Sequence, residues 1–137
     1  IGHVVHFHWR SQHSLNDGKG PWWPLYTEGF AQRLEHLLSR QESWHMQANS
    51  QDSDWPAWCQ AHRAWLAAEY LRLVEARESA RPSFGPWFDL RGHRQTGYFL
   101  GCEAIRLLES TMPLVNIALL ENEVSELRPI LEFFSRQ

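Results

Sequence analysis

The chain opens on a dense histidine run, with three of its eight histidines in His3-Val4-Val5-His6-Phe7-His8. An imidazole ligates a metal through a neutral ring nitrogen, so a site needs several such nitrogens aimed at one point. Helix positions three or four apart can do this. His3 and His6 meet the condition if the segment is helical, whereas in a strand His6 and His8 share a face and His3 leaves the group. The third candidate ligand is Glu28, which lies 22 residues after His6 in Tyr26-Thr27-Glu28-Gly29-Phe30-Ala31. Each feature has an ordinary counterpart. Short histidine motifs arise by chance, and a glutamate at the start of a helix complements the helix dipole. Gly29 argues against the dipole alone, because glycine in an early turn costs about 1 kcal/mol relative to alanine and implies the close approach of another backbone.

Hydrolysis at a metal also needs a donor for the developing oxyanion. The Gly- and aromatic-rich stretch before residue 96 offers His93, Arg94 and Tyr98. Tyr98 suits a core-edge position equally well. Asp89, Glu103 and Glu35 are candidates to orient the ligating imidazoles. The two cysteines, Cys59 and Cys102, follow no CxxC spacing, and the sequence has neither a Gly-x-Ser-x-Gly elbow nor a phosphate-cradling glycine loop.

The elements that must position these groups read as helices. Residues 1–13 are rich in β-formers but also carry helical spacing, and periodicity leaves both open. Residues 14–24 have the Gly, Pro and Asn-Asp chemistry of a loop. Leu25, Phe30, Leu34, Leu37 and Leu38 then mark an apolar helix face, with Glu28, Gln32 and Glu35 on another. A polar connector follows from about Gln47 to Asp54. Ser53 or Asp54 is expected to cap one long helix, with Pro56 in its first turn, running to about Glu78. A loop from Pro82 to Gln95 precedes a helix capped by Thr96 and ending at Leu108. Two shorter helices, around Pro113 to Leu120 and Glu123 to Ser135, complete the chain, the last bent at Pro129. The predicted fold class is all-α, as a single helical domain over residues 1–137.

Composition agrees with a globular domain: 43% hydrophobic and 21% charged residues over 137 positions. Eight tryptophans can fill a core or wall a cleft; Trp22, Trp23, Trp87 and Phe88 are the candidates for an aromatic cleft. A net charge of −3 without a basic run argues against nucleic acid as a partner. No stretch approaches the roughly 20 apolar residues of a membrane span. The chain reads as soluble, with the cytoplasm the favoured compartment. Its first residue, Ile1, leads us to expect upstream sequence, including N-terminal β-strands.

Three segments together resemble the predicted zinc-dependent proteases of the gluzincin group. Ile1-Gly2-His3-Val4-Val5-His6-Phe7 is similar to the helix bearing the His-Glu-x-x-His motif. Tyr26-Thr27-Glu28-Gly29-Phe30-Ala31 is similar to the Glu-Gly-x-Ala segment that provides the third ligand. Arg94-Gln95-Thr96-Gly97-Tyr98-Phe99-Leu100-Gly101 resembles a Gly-Tyr-x-x-Gly helix start. The resemblance implies a zincin-like helical core, zinc held by His3, His6 and Glu28, water in the fourth position, Tyr98 as first choice of oxyanion donor, and a peptide or protein substrate. The motif departs from the family in having Val4 where the general-base glutamate belongs and in separating the histidines by three positions. Turnover is therefore expected to be impaired, general-base catalysis being worth about two to four orders of magnitude. His-Phe-His-Trp at residues 6–9 is also similar to the zinc strand of α-type carbonic anhydrases, but those enzymes are β-rich. The alternative functions are a catalytically inactive helical protein-interaction module and a closed structural metal site.

Overall fold

The computed structural model describes residues 1–44, 54–85 and 90–137, whose regular secondary structure is helical apart from a single bridge between Leu90 and His93. The all-α expectation holds. Three expectations fall on residues outside the described set: the Gln47 to Ser53 part of the connector, the Trp87 and Phe88 cleft wall, and Asp89 as an orienting group. Of the two expected caps, Asp54 is the N-cap of the helix that starts at Trp55, without a side-chain cap hydrogen bond.

Helix α1 spans Gly2–Gln12, which settles the ambiguous opening as helix. Its buried positions, Gly2, His6 and Arg10, recur every four residues and form one face. Helix α2 spans Trp22–Ser39. It begins earlier than Leu25 because Pro24 falls in the first turn, where a missing N–H costs nothing, and it ends at Arg40 in the left-handed conformation, φ 57°.

The long helix expected after residue 54 is two helices, α3 (Trp55–Ala61) and α4 (Arg63–Glu75). The break is His62, whose backbone leaves helical values at φ −110° and ψ 16°. Its ring Nδ1–H donates to the Trp58 carbonyl at 2.8 Å, competing for an acceptor that the helix ladder also uses. Arg81-Pro82 opens the short α5 (Arg81–Phe84) instead of merely ending a helix, with proline again in a first turn. Helix α6 spans Thr96–Leu108. Its N-cap is Gln95, at φ 55°, so Thr96 is the buried first helical residue and not the cap. Helices α7 (Leu114–Ala118) and α8 (Glu123–Ser135) complete the chain. Asn122 caps α8 by accepting the Ser125 N–H at 3.2 Å, and Pro129 lies within the helix.

The core is made of Leu25, Tyr26 and Phe30 from α2, Leu100 and Ile105 from α6, Leu66 and Tyr70 from α4, and Leu127 and Leu131 from α8. Each fully buried side chain of this size contributes roughly 1.5–3 kcal/mol. Trp22, Trp44 and Trp55 are core residues too, and Cys59 and Cys102 are fully buried. No helix is long and apolar enough to cross a membrane among the described residues.

Glycines set how closely the helices approach. α1 runs antiparallel along α2, with Gly2 against Ala31: a Cβ on Gly2 would meet the Ala31 Cα and O at 2.6 Å. α2 crosses α6 with Gly29 directly on the Gly101 backbone, and a Cβ on either would overlap main-chain atoms of the other helix. The backbone approach expected from Gly29 is thus observed. Gly29→Ala should lower the unfolding free energy by about 3 kcal/mol, because backbone cannot yield as a flexible side chain can. A thermal melt should show Tm falling by roughly 10 °C. Gly92→Ala, at φ 85° with nothing near the added methyl, should cost only about 1–2 kcal/mol of backbone strain.

Candidate functional site

The glycine contacts explain where the chemistry-bearing side chains stand. His3 follows Gly2, Glu28 precedes Gly29, and Tyr98 lies three residues before Gly101 on the same face of α6. Where each small residue draws two helices together, its neighbour is left at the rim of the crossing. The three rims meet in an open cleft of about 260 Å³ lined by His3, Glu28, Ala31, Gln32, Glu35 and Tyr98.

Within it His3 Nε2 lies 2.9 Å from Glu28 Oε2, bridging α1 and α2. The hydrogen bond to Glu28 raises the His3 pKa above its ordinary 6.5, against the opposing effect of partial burial, and the Glu35 carboxylate adds to the rise. His3 Nδ1 is buried and has no hydrogen-bond partner among the described residues. The Tyr98 phenol is held protonated by burial and, second, by the negative field of Glu28. Glu35 has no ion-pair partner among the described residues. Glu103, the other candidate to orient an imidazole, instead pairs with Arg63 at 3.3 Å.

His6 stands elsewhere. It is fully buried, its ring 4.3 Å from the Phe30 ring. Its Nε2 sits 3.1 Å from both the Tyr26 hydroxyl and the Ala118 carbonyl, and since a carbonyl only accepts, Nε2 carries the proton. Tyr26 donates to the Ile117 and Ala118 carbonyls at 2.6 and 2.8 Å, and Arg10 Nη1 donates to Leu120 O at 2.8 Å. Together the three side chains satisfy the orphan carbonyls at the end of α7. Burial lowers the His6 pKa to about 4, with the Arg10 charge adding to the effect. Of the three residues expected to meet at a metal, the fold therefore brings His3 and Glu28 together and directs His6 into the core. No group of three or more His, Cys, Asp or Glu side chains is placed to hold a metal among the described residues.

Tyr98 is the only one of the three expected oxyanion donors in the cleft lining. His93 stacks on Trp58, ring centroids 3.8 Å apart at 11°, and Arg94 is exposed, with its carbonyl accepting from Trp55 Nε1 at 2.7 Å. Of the expected aromatic wall, Trp22 is in the core, and Trp23 packs half-buried against the Tyr26 ring with the Arg10 guanidinium over it. Gln32 in the cleft lining and the buried Tyr26–Arg10 hydrogen bond were not anticipated. Arg10 follows His6 by four positions, so the shared helical face was readable, but two of its carbonyl acceptors, Ala118 and Leu120, lie more than 100 residues away.

The histidine shifts set a pH dependence. His6 is lowered, so the unfolded chain takes up a proton below pH 6.5 that the folded chain refuses until about pH 4. Stability must fall as pH drops through that window, by on the order of 3 kcal/mol for His6. His36 is lowered by burial and acts in the same direction. His3 is raised and acts oppositely: its contribution is complete below pH 6.5 and is lost as pH rises through its folded value. Urea unfolding at pH 7 and pH 5 should show the native chain weaker at pH 5, a smaller loss for His6→Gln, and a larger loss for His3→Ala.

Comparison of the chain with protein-family models, with curated proteins and with solved structures finds no match.

Proposed function

We propose that the cleft between α1, α2 and α6 is a zinc-binding hydrolytic site of peptidase type, with His3 Nε2 and Glu28 Oε2 as two of its protein ligands. The observation that carries this reading is their 2.9 Å approach, facing an open cleft. Two donors on one tetrahedral zinc, each about 2.0–2.1 Å from it, stand about 3.3 Å apart. A separation of a few tenths of an ångström would convert the hydrogen bond into a shared metal edge. The fit covers two of the three protein positions of a catalytic zinc. His6 is occupied by the core, and no third His, Cys, Asp or Glu donor joins the pair among the described residues.

Bound there, zinc would supply a polarised water at neutral pH. The chain's own groups do the rest. His3 and Glu28 hold their donor atoms at a fixed spacing because the Gly2–Ala31 and Gly29–Gly101 contacts lock the three helices. Val4, in the position of the expected general base, is 72% exposed on the outer side of α1. Glu35 is the cleft carboxylate available to take a proton from water. Tyr98, kept protonated by its surroundings, can donate its O–H to an oxyanion forming in the cleft it lines.

A second reading, a catalytically inactive protein-interaction module, draws on the same Val4 together with Phe7, 42% exposed beside it on α1. Metal analysis and peptidase assays separate the two. On the hydrolytic reading the native protein carries about one zinc per chain. His3→Ala and Glu28→Gln lose it, and Tyr98→Phe keeps it while lowering kcat about 100- to 1,000-fold. A native protein that takes up no zinc leaves the interaction module. Zinc bound with no hydrolysis of any peptide leaves a structural metal site.

A further inference from the structure

A second and larger cavity, of about 400 Å³, lies next to the cleft. Its walls are mostly apolar, formed by Pro21 and Pro24 at the start of α2 and by Ala80 and Phe84 around α5. Both linings draw on one face of α2. Pro21, Pro24, Glu28, Ala31 and Glu35 recur every three or four residues, and the Phe84 ring that walls the cavity meets Tyr98 edge-on at 5.5 Å. Pro24 precedes Glu28 by one helical turn, about 6 Å along the axis. That distance is covered by one to two residues of extended peptide.

Two oppositely charged side chains stand at the cavity. Glu78 and Arg81 both line it, but Glu78 is engaged by Arg72 at 3.0 and 3.1 Å. Arg81 is exposed and has no ion-pair partner among the described residues. An apolar pocket with an exposed guanidinium at its edge suits a ligand that is apolar in body and carries one carboxylate.

We propose that this cavity takes the apolar C-terminal residue of a peptide, its side chain against Pro21, Pro24, Ala80 and Phe84 and its carboxylate paired with Arg81, so that the neighbouring cleft releases one amino acid at a time. In that step water cleaves the last C–N bond: its oxygen goes to the acyl carbon and a proton to the departing amine. The releasing step rests on the hydrolytic reading of the His3–Glu28 cleft, whereas binding in the cavity does not.

Titration calorimetry on the full chain with no added metal tests the binding, with N-acetyl-phenylalanine and its amide as probes. The acid should bind with Kd on the order of 1 mM and the amide at least about fivefold more weakly. Arg81→Gln should abolish that difference. Ala80→Trp, which fills the cavity, should weaken both probes about tenfold, while His3→Ala changes neither. Equal affinity of acid and amide for the native chain, no binding of either, or full binding to a folded Ala80→Trp would overturn the proposal. A metal-free protein that still distinguishes acid from amide would lose the hydrolase and keep the carboxylate pocket; a zinc protein that does not distinguish them would lose the pocket alone.

Discussion

Backbone contact between α2 and α6 at Gly29 and Gly101, continued between α1 and α2 at Gly2 and Ala31, governs how the rest of this molecule is arranged. Side chains at these positions would hold the helices apart by the width of a methyl group or more. Without them the helices meet main chain to main chain, and the residues flanking the contacts are forced outward onto a shared rim. His3, Glu28 and Tyr98 are therefore neighbours because small residues stand beside them, and their spacing is as rigid as the crossing itself.

The same geometry divides the two N-terminal histidines. Three residues along a helix correspond to a rotation about 60° short of a full turn and a rise of about 4.5 Å. With Gly2 pinned against Ala31, that offset leaves His3 at the solvent rim beside Glu28 and sends His6 beneath it, between Phe30 and Tyr26. One imidazole is thereby charged more easily and the other with more difficulty, although they belong to the same turn. The neutral His6 serves architecture: with Tyr26 and Arg10 it ties α1 and α2 to the carbonyl end of α7.

Much of the fold was legible in the sequence. The apolar spacing of Leu25, Phe30 and Leu34 identified α2, and Gly29 announced the crossing that brings Glu28 to the cleft. The break at His62 was not legible, because it depends on a ring nitrogen competing for the Trp58 carbonyl, which hydrophobic spacing does not record. The opening segment was ambiguous for a different reason: its β-branched and aromatic residues favour a strand locally, and only packing of the Gly2, His6 and Arg10 face on α2 selects the helix. Within the site, the pairing of His3 with Glu28 was readable from residue type and order. The fate of His6 was not, since its partners come from residues 26 and 118. His93 and Arg94 lie before α6, where no periodicity exists to say which way a side chain turns.

Both sulfur atoms of the chain's cysteines are sealed inside this arrangement. Cys59 and Cys102 have no solvent-exposed surface, and burial raises the Cys102 thiol to about 12, so it carries almost no thiolate at neutral pH. Alkylating reagents need both access and the anion. Labelling at Cys102, on the helix that crosses α2 at Gly101, therefore reports the moments when that crossing comes apart, and its rate is a clock for the opening of the scaffold on which the cleft is built.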